Sequence, residues 1–485
     1  MKLADLLLSF QFTPSFLKFI TLSPGVLAIG FLIVVILTAL FGRIYCAALC
    51  PLGILQDIIF RLSRRWRKKK RPQYQKPYPK IQFAVFAVTL ISAVLGSFAL
   101  LNTLDPYSFF GRIASNLFEP VLIFANNLVI PLLEKFEIYA HSTLTIHHIS
   151  ASVLIFNLLA LFILAAMVVL RGRLYCNTLC PVGTILSVFA KHSLIKIQID
   201  NPKCTSCKKC ERICRAGCID IAERKVDSGR CVACFDCIDI CPTKAVEYKF
   251  SSAGPAAQSG DPRRRRFLRY ALYGTGVLTL ASIPLRKKTR RKLLTGRSQP
   301  VMPPGATDID HFTATCTACH LCVSNCPTNV IRPAIAEYGL AGLLQPTLNF
   351  DNSYCDYDCN ICTQLCPTGA LQPLMLEAKQ LTQIGTCKLV PKKCIVYRTC
   401  EDCGACIEVC PTHAVYAIER NGIYFPKTNP DICIGCGFCE KVCPARPRAI
   451  TVEGSAIQIA AQAPYSNQAP VRKQDAQPTL EEFPF

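Results

Sequence analysis

The chain of 485 residues has no complete motif for binding a nicotinamide or flavin cofactor. Its nearest approach to a dinucleotide fingerprint, Gly274-x-Gly276, lacks the third glycine and lies in an apolar segment instead of a strand–helix turn. No flavin attachment motif is present. Oxidation of a nicotinamide cofactor within this chain is therefore not expected.

Charge is missing from three long runs. Residues 24–41, 81–101 and 149–170 contain no charged side chain. Each run is about as long as the ~20 residues that a membrane helix needs. Buried helices of a soluble protein also lack charge, but these runs have basic flanks. We predict three membrane spans, with residues 6–20 as an interfacial helix or a truncated span.

Acidic residues are absent from 61–80, which holds ten Lys or Arg, whereas 102–148 holds two basic and four acidic residues. Positive charge beside membrane helices marks the cytoplasmic side. We therefore place 42–80 and the chain from 171 onwards in the cytoplasm, and 102–148 and the N-terminus outside. The net charge of +22 is explained by these flanks, so no nucleic-acid partner is expected.

Cysteine is abundant: 24 of the 31 cysteines form six runs of similar spacing. In the bacterial ferredoxin pattern, three close thiolates hold one [4Fe–4S] cluster and the fourth ligates the neighbouring cluster. The paired runs predict six clusters in three two-cluster modules. Two runs depart from the pattern: Cys355 and Cys359 are one residue too far apart, and Arg215 replaces the usual proline beside an extra thiol, Cys218.

The pairing rule predicts six ligand sets, numbered here for later use. Set 1 is Cys204, Cys207, Cys210, Cys241; set 2 is Cys231, Cys234, Cys237, Cys214; set 3 is Cys316, Cys319, Cys322, Cys366; set 4 is Cys355, Cys359, Cys362, Cys326; set 5 is Cys400, Cys403, Cys406, Cys443; set 6 is Cys433, Cys436, Cys439, Cys410.

Zinc, disulfide bonds and haem are less consistent with the spacing of these cysteines than iron–sulfur clusters are. Zinc sites usually combine two ligand pairs. Disulfide frameworks belong to short secreted chains with an even cysteine count. Cys316-x-x-Cys319-His320 matches the haem attachment pattern, but a haem there would leave Cys322, Cys326 and the partner run without a role.

A second cysteine motif occurs twice, 130 residues apart, with eight of twelve positions identical. Gly42-Arg-Ile-Tyr-Cys-Ala-Ala-Leu-Cys-Pro-Leu-Gly53 recurs as Gly172-Arg-Leu-Tyr-Cys-Asn-Thr-Leu-Cys-Pro-Val-Gly183. Such a copy indicates an internal parallel repeat. The cysteines Cys46, Cys50, Cys176 and Cys180 are predicted to form one four-thiolate site for a further cluster, a thiol pair that cycles, or a purely structural turn.

The predicted fold is an α-helical membrane bundle plus α+β ferredoxin-like modules. The domains are a bundle 1–195, a two-cluster module 196–250, a linker 251–299, a four-cluster domain 300–455 and a disordered tail 456–485. In the linker, Arg264-Arg265-Arg266 precedes the uncharged residues 270–285, as in a twin-arginine export signal or a short anchor. The insertion 331–354 is either a docking element or a surface loop.

The repeated Gly-Arg-x-Tyr-Cys-x-x-x-Cys-Pro-x-Gly motif, the apolar runs and the adjoining module resemble the NapH type, the quinol dehydrogenase membrane subunit of periplasmic nitrate reduction. Residues 264–450 resemble its NapG-type partner, and Cys387 and Cys394 are similar to that partner's extra cysteines. The chain thus resembles a fusion of the two, although the membrane family usually has four helices before its module and we count three.

The resemblance implies a multi-pass protein of the cytoplasmic membrane that oxidises menaquinol or ubiquinol. Electrons would pass through [4Fe–4S] clusters to a periplasmic reductase or cytochrome, with the first module cytoplasmic and the C-terminal domain periplasmic. The alternatives are a membrane-anchored polyferredoxin fed by a protein partner, and a redox sensor or cofactor assembly factor. No motif identifies a quinone site.

A few side chains outside the cysteine runs have candidate roles. Asp105 is either a proton acceptor or a helix cap, because an acid near a membrane helix is costly without a role. His141, His147 and His148 are expected on the surface of the outer loop. Asp57 is assigned no role.

Overall fold

The computed structural model describes residues 10–20, 29–66, 74–137, 143, 151–250, 299–335 and 337–463. Three predictions concern residues outside these ranges: the twin-arginine-like segment 264–285, the three histidines His141, His147 and His148, and the tail beyond 463.

The N-terminal region is helical, and several of its helices begin at proline, whose missing N–H needs no partner in the first turn. The helices are α1 Phe12–Ile20, α2 Gly30–Phe41, α3 Tyr45–Ala48, α4 Pro51–Trp66, α5 Pro79–Val94, α6 Ala99–Leu104, α7 Pro106–Ile113, the π-helical segment Ala114–Phe118, α8 Glu119–Glu134, α9 Ala151–Arg171, α10 Leu174–Thr178 and α11 Pro181–Lys191.

Two helices among the described residues are long and apolar enough to cross a membrane, Pro106–Pro131 and Ala151–Arg171. Of the three predicted spans, 149–170 coincides with such a helix, whereas Gly30–Phe41 and Pro79–Val94 in the other two runs are shorter apolar helices among the described residues. Pro106–Pro131 lies in the segment assigned to an outer loop. It was missed because Arg112 and Glu119 interrupt the charge-free run. The Arg112 guanidinium is nevertheless buried and donates to the carbonyl of Asn102 at 2.6 Å.

The helices of this region have apolar side chains outside and polar ones inside. Ile36 of α2, Val88 of α5 and Phe162 of α9 are 57%, 55% and 71% exposed. Thr38 and Asn157, on α2 and α9, are buried. A large exposed apolar surface marks a membrane or protein contact. This inverted polarity is typical of helices surrounded by lipid.

The first module is a small α+β unit. Strand β1 Ile195–Ile199 pairs antiparallel with β4 Val246–Phe250, and β2 Ile219–Asp220 pairs with β3 Lys225–Val226. The short helices α12 Lys209–Ile213 and α13 Asp236–Asp239 pack on each other. The chain therefore enters and leaves the module on neighbouring strands.

The first module contacts the ends of α2 and α9. Tyr248 donates to the carbonyl of Phe41 at 2.8 Å. The backbone N–H of Arg173 donates to the carbonyl of Arg215 at 2.9 Å. Gly172 ends α9 with φ 67°, and a Cβ there would lie 2.1 Å from the same carbonyl, so the contact requires glycine.

The C-terminal region consists of short helices and three two-stranded sheets, β5–β6, β8–β9 and β7–β10. Its elements are α14 Ile309–Thr315, α15 Leu321–Ser324, β5 Ile331–Pro333, the 3-10 helix Leu340–Gly342, β6 Pro346–Leu348, α16 Ile361–Gln364, α17 Leu376–Gln380, β7 Thr382–Leu389, the 3-10 helix Pro391–Lys393, α18 Ile395–Thr399, α19 Ala405–Glu408, β8 Val415–Arg420, β9 Ile423–Thr428, α20 Phe438–Val442 and β10 Ile450–Ala460.

Both halves of the C-terminal region share one core, which extends from Val301 to Val452. Strand β10 pairs with β7 as far as Ala460 opposite Thr382. The predicted boundary at 455 is therefore five residues too early, since residues 456–460 belong to a sheet and not to a disordered tail. The alternation of apolar and polar residues did not reveal the end of β10, because Ala, Gln and Gly are frequent there.

The C-terminal region packs against the helical region at the start of α9. Val153 shares a small core with Ala318 and Leu344. Leu344 belongs to the insertion 331–354, so this insertion takes part in docking. Val153 and Gly172 are nineteen residues apart on α9, about 28 Å at 1.5 Å per residue. The two cluster-binding regions thus contact opposite ends of α9.

Candidate iron–sulfur centres

The structure brings the four cysteines of the repeated motif together. Cys46, Cys50, Cys176 and Cys180 are 4–5% exposed and lie in one packed group of side chains. Their sulfurs are near enough for the charge on one thiolate to act on the others. We call these four residues the central thiol site.

The two copies of the motif are linked by exchanged arginines. Arg43 Nη2 donates to the carbonyl of Cys176 at 3.2 Å, and Arg173 Nη1 donates to the carbonyl of Cys46 at 2.6 Å. Each carbonyl also lies against a motif glycine: a Cβ would be 2.2 Å from Cys46 O at Gly53 and 2.3 Å from Cys176 O at Gly183. The Gly and Arg of the motif therefore hold the two cysteine loops side by side.

The central thiol site fits a [4Fe–4S] cluster. Cys180 Sγ accepts from the backbone N–H of Gly183 at 3.2 Å, and Cys176 Sγ accepts from Gln56 Nε2 at 3.3 Å. The buried Nε of Arg43 has no hydrogen-bond partner, and an ionised Cys46 thiolate beside it is the acceptor that it lacks. Thiolates are the ligands of such clusters, which carry single electrons when bound.

Asp57 is a site residue that sequence reasoning missed. Its carboxylate accepts two hydrogen bonds from Arg173, at 2.6 and 2.9 Å, and one from Arg215 Nη1 at 2.5 Å. Arg215 in turn pairs with Asp236 at 2.6 Å. The replacement of proline by Arg215 in the first ferredoxin run was the available signal. Through Asp57, Arg215 joins the first module to the repeated motif.

Ligand sets 1 and 2 lie within the first module. The charges on Cys231, Cys234 and Cys214 act on Cys237, and these four thiols line one cavity. In set 1 the neighbours of Cys210 are Cys207 and Cys241. Cys204 begins the same loop, and Cys207 is exposed.

Cys218 is a fifth thiol in the cavity of set 2. Its sulfur is 3.5 Å from that of Cys214. The hydrogen bond from Cys218 lowers the pKa of Cys214 to about 6, which favours the ligating thiolate form. Cys387 is an extra thiol beside set 6, where its sulfur accepts a hydrogen bond from Cys433 at 3.6 Å.

Each of ligand sets 3 and 4 combines three cysteines of one middle run with the fourth cysteine of the other. Cys322 is within electrostatic reach of Cys316, Cys319 and Cys366. Cys362 is likewise near Cys355, Cys326 and Cys359. The extra residue between Cys355 and Cys359 therefore does not prevent these thiols from meeting.

Ligand set 5 differs from the prediction. The cavity is lined by Cys394, Cys403, Cys406 and Cys443. Cys400 is exposed at the end of α18, with φ 58°, and does not line it. Cys394 precedes α18 and is buried. The structure therefore brings Cys394, not Cys400, to the other three thiols.

Ligand set 6 is assembled as expected from spacing. The charges on Cys436, Cys433 and Cys410 act on Cys439. Among the described residues, no three His, Cys, Asp or Glu side chains lie close enough to hold a single metal ion.

His320 and Asp105 have structural partners. His320 Nε2 lies 2.9 Å from Leu344 O and Nδ1 lies 3.0 Å from Asn116 Nδ2, so both ring nitrogens are occupied and neither is free for haem. Burial lowers the pKa of His320 to about 3, so the ring is neutral. Asp105 caps α7, since its carboxylate accepts from Ser108 N at 2.8 Å.

Two family models match the chain. A 4Fe-4S binding domain matches residues 23–70 and 153–200, which contain the two copies of the repeated motif. A 4Fe-4S dicluster domain matches residues 315–370 and 399–447, which contain all of ligand sets 3 to 6 as predicted from spacing, whereas Cys394 lies outside the match. Iron–sulfur binding is therefore supported in both the helical and the C-terminal regions.

Several curated proteins are similar to part of the chain. An uncharacterized protein of Methanocaldococcus jannaschii is 26% identical over 185 residues, 38% of this chain and 55% of the relative. The methylamine utilization ferredoxin-type protein MauN of Methylobacillus flagellatus is 25% identical over 36% of this chain and 48% of its own length. The ferredoxin-type protein NapH of Escherichia coli is 26% identical over 39% and 54%.

The chain spans between about half and two thirds of the length of these relatives. No solved structure matches it. The domain matches indicate binding of iron–sulfur clusters, and the chain is similar to ferredoxin-type proteins in its helical region. The similarity of residues 264–450 to the NapG type stays a prediction.

Proposed function

We propose that this protein is a membrane-embedded relay that oxidises quinol and passes the electrons to an acceptor protein on the other side of the membrane. The observation that carries the proposal is the position of the central thiol site. It lies between the first module and the C-terminal region and contacts elements of both. Six ligand sets and the central site would then hold seven [4Fe–4S] clusters.

The first contact joins set 2 to the central thiol site. Arg43 Nη1 donates to the carbonyl of Gly229 at 3.0 Å, two residues before Cys231. Val232, the residue after Cys231, packs in the same core as Cys46 and Cys176, with Cys234 at its edge. Val232, which is 1% exposed, therefore packs between these two groups of thiols.

The second contact joins the central thiol site to set 3. The ring of Tyr175, beside Cys176, is 5.7 Å from that of Phe109 on α7. Two residues further along α7, a Cβ on Gly111 would lie 2.4 Å from the carbonyl of Cys319. Helix α7 therefore connects the two sites by close packing.

Further contacts order the sets within the C-terminal region. Cys322 of set 3 is near Cys362 of set 4. The N–H of Cys355, in set 4, donates to the carbonyl of Cys436, in set 6, at 2.8 Å. The neighbouring rings of Tyr354 and Phe438 stack at 3.9 Å. The order is therefore set 3, set 4, set 6 and set 5.

The membrane assignment rests on the exposed apolar surface of the helical region and on the two candidate spans. The basic flank 61–80 favours the cytoplasm for the first module. The contact of the C-terminal region with the opposite end of α9 supports a periplasmic position for it in this proposal. Quinol as donor comes from the NapH-type resemblance, and the periplasmic acceptor is a reductase or cytochrome.

The test is electron paramagnetic resonance (EPR) of the purified, lipid-reconstituted protein, before and after anaerobic addition of a reduced menaquinone analogue. We expect reduced [4Fe–4S] signals in the native chain, and in Cys46→Ser and Cys176→Ser we expect loss of the signals of the central thiol site and of the C-terminal sets. Cys400→Ser is the matched control, because this cysteine lies outside the cavity of set 5. Clusters that dithionite reduces but quinol leaves oxidised would contradict quinol oxidation, provided their potentials lie above that of the quinol.

A second candidate is a carrier reduced by a soluble protein. Cys207 of set 1 is exposed, so the first module offers a site for electron entry from solution. Reduction by a ferredoxin but not by quinol would favour this function. Reduction by quinol alone would favour the relay.

A further inference from the structure

The two copies of the repeated motif differ in how their buried arginines are neutralised. Arg43 and Arg173 are 0% and 1% exposed and make equivalent hydrogen bonds to the cysteine loop of the other copy. Arg173 is paired with Asp57, and Asp57 is linked onward to Arg215 and Asp236. Two cations and two anions balance in that network.

The positive charge of Arg43 is not balanced by a carboxylate in this way. Its three hydrogen-bond acceptors are neutral: Asn177 Oδ1 at 2.9 Å, Gly229 O at 3.0 Å and Cys176 O at 3.2 Å. No carboxylate of the described residues lies within ion-pair distance of Arg43, and its Nε has no partner. The groups whose charge acts on it are the thiols of Cys46, Cys176 and Cys180.

The sequence repeat accounts for this difference. Asp57 lies on α4, six residues after Pro51, and the matching position on α11, 130 residues later, holds Ser187. The second copy therefore lacks the carboxylate that would neutralise Arg43. A buried guanidinium without a counterion is strongly unfavourable, so its counterion is expected to be the central site itself when that site carries thiolates.

We propose that Arg43 is a potential-setting residue, whose uncompensated charge stabilises the reduced state of the cluster at the central thiol site and directs electrons to it from set 2. Reduction makes a thiolate-ligated cluster more negative, so a fixed buried cation raises its reduction potential. Arg43 also contacts Gly229 beside set 2, which places the charge between the two groups of thiols. This inference rests on the proposed cluster at the central site.

Two nearly isosteric variants test the proposal with opposite signs. Asn177→Asp places a carboxylate on the atom that Arg43 already contacts and gives Arg43 the neutralisation that Arg173 has. Asp57→Asn removes a carboxylate and leaves Arg173 uncompensated. We expect the first to lower and the second to raise the midpoint potential of the central cluster. Each shift should be at least tenfold in the reduction equilibrium, which is 59 mV for one electron.

The measurement is an EPR-monitored redox titration of the full-length, lipid-reconstituted protein. The central signal is first identified as the one lost in Cys46→Ser, with a matching loss of iron. Arg43→Lys is the third variant, since it keeps the charge but changes the hydrogen bonds, and it should retain most of the native potential. Arg43→Gln is the neutral counterpart and should lower the potential; a merely structural role for Arg43 would predict similar shifts in Arg43→Lys and Arg43→Gln.

The outcomes separate the two proposals. If Cys46→Ser removes no iron and no signal, the central cluster is absent and both proposals are wrong. If the central signal is present but both isosteric variants leave its potential unchanged or shift it in the same direction, the role of Arg43 is overturned while the relay stands. Opposite shifts, with the native potential retained in Arg43→Lys, support it.

Discussion

Cys394 and Cys400 differ in burial although both lie before Cys403 in the chain. Spacing favours Cys400, because it completes a run of cysteines two residues apart. Packing favours Cys394, because α18 turns Cys400 to the surface and leaves Cys394 in the cavity. The cysteine whose sulfur reaches the cluster is the ligand. Helix α18, which lies between Cys394 and Cys400, determines which of the two sulfurs does so.

Cys394→Ser should therefore remove one cluster, whereas Cys400→Ser should leave the number of clusters unchanged. The reason is that only Cys394 shares the cavity with Cys403, Cys406 and Cys443. Iron per protein, measured with quantitative EPR of the reduced chain, checks this. Equal iron loss in both variants, or iron loss in Cys400→Ser alone, would indicate that Cys400 is a ligand, as the spacing predicts.

Cys218→Ala should keep the set 2 cluster but lower its reduction potential. The Cys218 thiol donates to the Cys214 sulfur, and hydrogen bonds to ligating sulfurs raise the potential of a cluster. Cys218→Ser keeps a donor and is the control. A redox titration distinguishes these variants. Loss of iron in Cys218→Ala would show instead that Cys218 is itself a ligand.

Helices α3 and α10 are short segments that place the central thiols. Each follows a glycine that ends a long apolar helix, and each is packed against the next helix through the carbonyl of its first cysteine. The close approach of Gly53 and Gly183 to these carbonyls leaves no room for a side chain. The element geometry therefore explains why the motif ends in glycine.

Gly183→Ala should destabilise this loop, because its Cβ would lie 2.3 Å from Cys176 O and 2.9 Å from Arg43 Nη2. Overpacking of this kind costs about 1–3 kcal/mol. Thermal unfolding in detergent, with iron retention, measures the effect. Gly404→Ala is the control, since its Cβ meets only the flexible Glu408 carboxylate at 3.2 Å. Equal unfolding temperatures for the two variants would contradict the predicted crowding.

The whole molecule has two cluster-binding regions at opposite ends of α9 and a thiol site between them. The docking of the C-terminal region depends on α7 and the start of α9. Gly111 packs closely against the backbone of Cys319, a predicted ligand of set 3. A substitution at Gly111 can therefore disturb the relay without replacing a ligand.

Gly111→Ala should slow electron transfer from the central thiol site to set 3 while leaving reduction of the first module unchanged. A Cβ there would meet Cys319 O at 2.4 Å and force the two surfaces apart. Freeze-quench EPR after quinol addition resolves the order in which signals appear. Unchanged kinetics for the C-terminal clusters, with all clusters present, would show that electrons do not pass through this contact.

Local sequence specified the cysteine runs, the repeated motif and the short α+β units, since cluster ligands need thiols at fixed separations along the chain. The sequence also indicated the apolar helices, although it did not indicate Pro106–Pro131. The burial of the Arg112 guanidinium, which donates to the carbonyl of Asn102, is visible only in the structure. Only tertiary packing decided that Cys394 and not Cys400 lines the cavity of set 5, that the four motif thiols converge, and that Asp57 neutralises Arg173 but leaves Arg43 without a carboxylate partner. These outcomes depend on contacts between residues more than a hundred positions apart, or on the direction in which a helix turns a side chain, and neither is encoded in local spacing.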